Sequence, residues 1–142
     1  MADLVKCWCG CTYYKRQEIE QALKATSYEL MKTANLRRLL EKFMETFYKS
    51  VKPPIVTDMQ CHKLCEDLLD GTVDMDDDIQ EQLEEYCFDE YWESLMSEAF
   101  EDQEQENINE FLNNMMREAE IRIENHPEYS IFKAKLMEKL KK

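Results

Sequence analysis

Glycine and proline are nearly absent from this chain. Its 142 residues hold two glycines, Gly10 and Gly71, and three prolines, Pro53, Pro54 and Pro127. A P-loop needs two glycines flanking four residues, and a dinucleotide-binding turn needs three within six, so both phosphate cradles are excluded. The tight turns of a β-sandwich or barrel are equally ill-served. Histidine is as scarce, with only His62 and His126. Nucleophilic catalysis needs a nucleophile, a base and an orienting group. His62 follows Cys61, but neighbouring helix positions point about 100° apart. The Glu-x-x-His pair of di-iron bundles is missing too, because Met59 and Ile123 stand three residues before the two histidines. Both histidines are expected at surface or capping positions, and no enzymatic activity is expected.

Long apolar runs are also missing. No stretch approaches the roughly 18 residues of a membrane-spanning helix. The start, MADLVKCWCGC, has no apolar signal-peptide core. Ala2 excludes N-myristoylation, the KLKK end is no prenylation box, and no asparagine opens a glycosylation sequon. Six cysteines without a leader lead us to expect a reducing compartment, cytoplasmic or nuclear.

What the chain does have is charge, unevenly placed. Residues 57–110 carry one basic residue, Lys63, against twenty acids, while the flanking segments are mildly basic; the net charge is −13. A field of this sign repels phosphate backbones, so no nucleic acid is expected on the acidic face. Two readings of the block stand. It is a solvated face that pairs with the chain's own basic helices, or a docking surface for a basic partner.

Beyond a short Cys-rich segment at 1–12, the pattern is helical. Leu36, Leu39, Leu40, Phe43, Met44, Phe47, Tyr48 and Val51 recur at i, i+3, i+4, i+7. Thr26 or Ser27 is placed to cap a helix, and Pro53–Pro54 to end one. Thr57-Asp58-Met59-Gln60 reads as a capping box. Cys61, Leu64, Cys65, Leu68 and Leu69 form a stripe closed by Gly71 at a C′ position. Asp76, Asp77 and Asp78 suit the positive end of the next helix. The apolar face shifts near Phe88, and Pro127 breaks the chain again before a last helix from about Ser130. The expected fold is all-α: one compact single-domain bundle of about five to seven helices over residues 13–142.

Cys7, Cys9 and Cys11 alternate as C-x-C-x-C. Zinc sites usually take C-x₂₋₄-C, whose spacing lets two thiolates converge, so a zinc-binding regulatory protein is the alternative reading and no cofactor the first. Cys61 and Cys65 sit in an apolar stripe and are read as core. Asp74, Asp76, Asp78 and Glu85 match EF-hand positions, but Ile79 replaces the glycine at the sharp turn, so the segment is read as an acidic cap.

The tail PEYSIFKAKLMEKL resembles the last helix of BART-like domains, over about a tenth of the chain. That resemblance implies a further alternative, a helical effector of a small GTPase. The first expectation is a non-enzymatic protein–protein interaction module, an adaptor, regulatory or accessory factor with an acidic helical docking surface for a basic protein. Its interaction residues are expected among Asp76, Asp77, Asp78, Glu84, Glu85, Tyr91, Trp92, Glu93 and Met115. Aromatics are enriched at interface cores, and methionines supply adaptable apolar surface.

Overall fold

The structure is a computed structural model that describes residues 4–8, 10, 13–48 and 52–141. Eight helices and one two-stranded sheet make up the described chain: β1 (Leu4–Lys6), β2 (Tyr13–Lys15), α1 (Arg16–Lys24), α2 (Ser27–Lys32), α3 (Ala34–Phe47), α4 (Pro54–Asp70), α5 (Asp77–Tyr86), α6 (Glu90–Glu101), α7 (Gln105–Asn125) and α8 (Pro127–Leu140). The protein is therefore mostly helical, as composition and periodicity require. The helices outnumber the five to seven expected, because Thr26 and Thr33 each open a new one. The Thr26 hydroxyl accepts from the Glu29 N–H at 3.2 Å, and the Glu29 carboxylate accepts from the Thr26 N–H at 3.1 Å, a reciprocal cap. That carboxyl is held below its usual range by the Thr26 hydrogen bonds.

Contacts gather into two units. Unit 1 is drawn from Met1–Val56 and Arg122–Lys142, and unit 2 is Thr57–Ile121. Unit 1 contains the hairpin, which periodicity did not show. Leu4 pairs with Lys15, Val5 with Tyr14 and Lys6 with Tyr13. Tyr13–Lys15 is thus strand, not the start of the helical region. Gly10, at φ +81°, turns the connection, and its N–H donates to the Cys7 carbonyl at 3.1 Å.

The α3 stripe is core from Leu36 to Met44, with Leu39, Leu40 and Phe43 fully buried. Phe47 is 47% exposed, so burial fades at the end of the stripe, and Val51 lies outside the described residues. The Phe43 ring lies 5.4 Å from both Trp8 and Phe132, which ties the hairpin connection, α3 and α8 together. Lys133 of α8 closes α1: its ammonium donates to the carbonyls of Ala22 (2.8 Å), Leu23 (3.1 Å) and Ala25 (2.7 Å), the orphan acceptors of the helix end. Arg16 likewise donates to the Leu140 carbonyl.

α4 starts three residues before the expected capping box. Pro54 holds the first position, where its fixed φ suits the helix and its missing N–H has no intrahelical acceptor to serve. Thr57 therefore lies inside the helix. Gly71, at φ +83°, ends it as expected. Asp76 caps α5 by accepting from the Ile79 N–H at 2.8 Å, and Asp89 caps α6 by accepting from the Trp92 N–H at 3.1 Å. The break near Phe88 is the α5–α6 connection. Pro127 occupies the first turn of α8, so that helix begins before Ser130, with His126 at its N-cap position.

Candidate functional site

Unit 2 holds most of the residues singled out from the sequence. Its core is built on Cys61, Leu64 and Cys65 of α4, Leu83 of α5, Met96 of α6, and Phe111, Leu112 and Met115 of α7. Met115 is fully buried and so belongs to this core rather than to a surface. Cys61 and Cys65 are fully buried as well. A hydrogen bond to Cys65, then burial, pushes the Cys61 thiol far above the ordinary range, which makes it inert rather than nucleophilic.

His62 corrects the expectation of a surface or capping residue. It is fully buried, and its Nε2 lies 2.9 Å from Oε2 of Glu120, itself 7% exposed. Position 62 reads as polar next to an apolar stripe. The approach of α7, 58 residues later, gives the ring a carboxylate partner. A buried charged group needs such a partner, because leaving water without one is costly.

The Trp92 ring is half-buried and touches Phe88 at 5.4 Å, Phe111 at 6.0 Å and Tyr91 at 6.4 Å. Tyr91 itself is 66% exposed. Asp77 and Asp78 lie exposed in the first turn of α5, where the dipole favours them, and Glu85 is exposed further along that helix. Glu84 and Glu93, expected as interaction residues, line one groove with Gln80, Glu90, Met96 and Phe100. Glu90 and Phe100 were not among the expected residues. Their signal in the sequence was spacing: Glu90, Glu93 and Phe100 fall on one side of α6 at i, i+3, i+10.

For metals, Cys7 is buried at the end of the β1 strand, while Cys9 and Cys11 lie outside the described residues. Among the described residues no group of three or more His, Cys, Asp or Glu is placed to hold an ion. The EF-hand-like segment is helical from Asp77 onward, so Asp78 and Glu85 cannot wrap around an ion with Asp74. No described helix is long and apolar enough to cross a membrane. Compared with family models, curated proteins and solved structures, the chain matches none.

Proposed function

We infer that this chain is a non-enzymatic protein–protein interaction module whose acidic helical unit docks a partner with a basic surface. The observation that supports this reading is the charge of unit 2: twenty-two Asp/Glu against two Lys/Arg, a net −20 in 65 residues. Only one of those cations, Lys63, is in an ion pair among the described residues, with Asp67 at 2.8 Å. Such a field steers an oppositely charged partner and sets its orientation.

The test uses a captured partner, reconstituted from purified components. Its association rate should fall steeply as salt rises, since exposed charges are screened over about 8–10 Å at physiological ionic strength. Joint neutralisation of Glu84, Glu85 and Glu93 should slow association further while the melting curve stays in place. A rate indifferent to both salt and these substitutions would place the interface off the acidic unit.

A further inference from the structure

The hairpin of unit 1 is a sheet with an edge left over. Its inner face is covered, with Val5 buried and Tyr14 half-buried. β2 is held by the chain itself: it runs without a break into α1, and the Lys15 N–H donates to the Glu18 carboxylate at 3.4 Å. β1 has no second neighbour. Among the described residues β2 is the one strand paired with it, and no other backbone hydrogen bond reaches Leu4–Lys6. The other edge of β1 therefore leaves N–H and C=O groups to template a further strand.

The outer face of the hairpin narrows what that strand is. Alternate residues of a strand share a face, and directly paired residues share it too. The pairing of Leu4 with Lys15 and of Lys6 with Tyr13 thus sets these four residues on one face, and all of them are exposed. Leu4 is 49% and Tyr13 59% exposed, large apolar groups left in water. Each lies opposite a lysine, so apolar and cationic groups alternate. Neither lysine is in an ion pair among the described residues. The edge calls for an extended strand, and the face calls for acids beside the lysines and apolar side chains beside Leu4 and Tyr13. A second copy of the hairpin does not fit. Edge pairing would gather both copies' lysines on one face with no acid among them, and like charges on a sheet face are destabilising. The surrounding charge favours the same occupant, since unit 1 carries sixteen Lys/Arg against nine Asp/Glu.

We propose that the free edge of β1 takes an extended segment of a partner protein as a third strand, with an apolar side chain beside Leu4 and an Asp or Glu beside Lys6. Main-chain bonds supply the affinity, and the alternating side chains supply the selectivity. This surface belongs to the basic unit and is independent of docking on the acidic one.

The test titrates the full chain with synthetic peptides about six residues long. One alternates Val and Glu, one alternates Val and Lys, and one is the Val/Glu peptide methylated at each central backbone nitrogen. The plain Val/Glu peptide should bind tightest and shift the backbone amide NMR signals of Leu4, Val5 and Lys6. Methylation removes the main-chain donors and keeps every charge, and it should weaken binding by about tenfold or more. Lys6→Glu should weaken the Val/Glu peptide about as much and transfer the preference to the Val/Lys peptide, a rescue that also shows the variant folded. Lys24→Glu, equal in charge and exposed on α1, should weaken binding less than about threefold. Equal binding of the methylated and plain peptides would overturn the third strand and leave a diffuse basic surface. Equal losses from Lys6→Glu and Lys24→Glu would overturn the place. Binding to phosphatidylserine vesicles with no peptide bound would make the face a lipid contact and overturn the protein partner. A wild-type chain that binds none of these probes would overturn the proposal outright.

Discussion

Unit 1 carries sixteen Lys/Arg against nine Asp/Glu, and unit 2 carries two against twenty-two. The two also use their charges differently. In unit 1 the cations are structural: Lys133, Arg16 and Arg37 donate to backbone carbonyls, the last to Met31 at 3.0 Å. In unit 2 a few acids cap helices, and most point to solvent with no cation of their own unit to meet. Charge that closes helix ends belongs to the fold. Charge left over without internal partners is available to something else. Buried charge in unit 2 is confined to α4 and α7, with His62 facing Glu120.

Core disruption should show the largest effects in both units. Phe43→Ala removes the ring at the centre of unit 1 and should cost about 3–5 kcal/mol in chemical denaturation. His62→Ala should cost about 3–5 kcal/mol in unit 2 by stranding the Glu120 carboxylate, and Glu120→Gln, which keeps a hydrogen-bonding group, should cost less. If His62→Ala were nearly neutral, the pair would not be the polar anchor of that core. Lys133→Met tests the structural role of unit 1 cations. It leaves the three α1 carbonyls without their donor and should cost about 1–3 kcal/mol, discounted for the half-exposed side chain. Asp76→Ala and Asp89→Ala should each cost about 1 kcal/mol as lost helix caps. By contrast Glu98→Gln, exposed and outside any cap, should move unit 2 stability by less than about 0.5 kcal/mol. An effect of Glu98→Gln as large as that of Lys133→Met would erase the distinction between the units.

The pH dependence of Cys87 sharpens the comparison further. Its thiol ionises near 11 in the folded chain against 9 for an ordinary thiol. The unfolded chain loses this proton first, so the stability the thiol contributes falls as pH rises from about 9 to about 11. Glu84→Gln with Glu93→Gln should bring the ionisation down, read as faster alkylation at Cys87 by mass spectrometry near pH 9. A rate unchanged by the pair would mean that burial alone holds the thiol up.

Local signals were legible in the sequence because their causes are local. The α3 stripe, the Thr26 cap, the Gly71 stop and the acids opening α5 each depend on residues within one or two turns. The acidic block even begins at residue 57, where unit 2 begins. What was missed depends on distant partners. The hairpin pairs Val5 with Tyr14 across a connection that the helical pattern hides. His62 is polar in sequence and buried in space because Glu120 arrives from α7. Thr57 lost its cap role to Pro54, whose ring is equally suited to a first turn. Of the groove, Glu84 and Glu93 were expected, but the pairing of α5 with α6 decides which acids face each other.

Unit 1 is interrupted in sequence, and this has a consequence for synthesis on the ribosome. The Lys133 ammonium reaches the Ala22 carbonyl across 111 residues, so the N-terminal helices emerge long before the helix that completes their core. Unit 2 is continuous and has all of its residues available first. Local helices form early at little entropic cost, whereas a closure over so long a span must wait for its far end. The nascent chain therefore exposes the faces of α1 and α3 that α8 will cover, with Phe43 and Ile19 among them, until α8 has been made. The lysine-bearing helix α8 is thus the timing element of unit 1. A stop codon ahead of α8 would release an acidic unit with all of its residues attached to a basic one that lacks its closing helix.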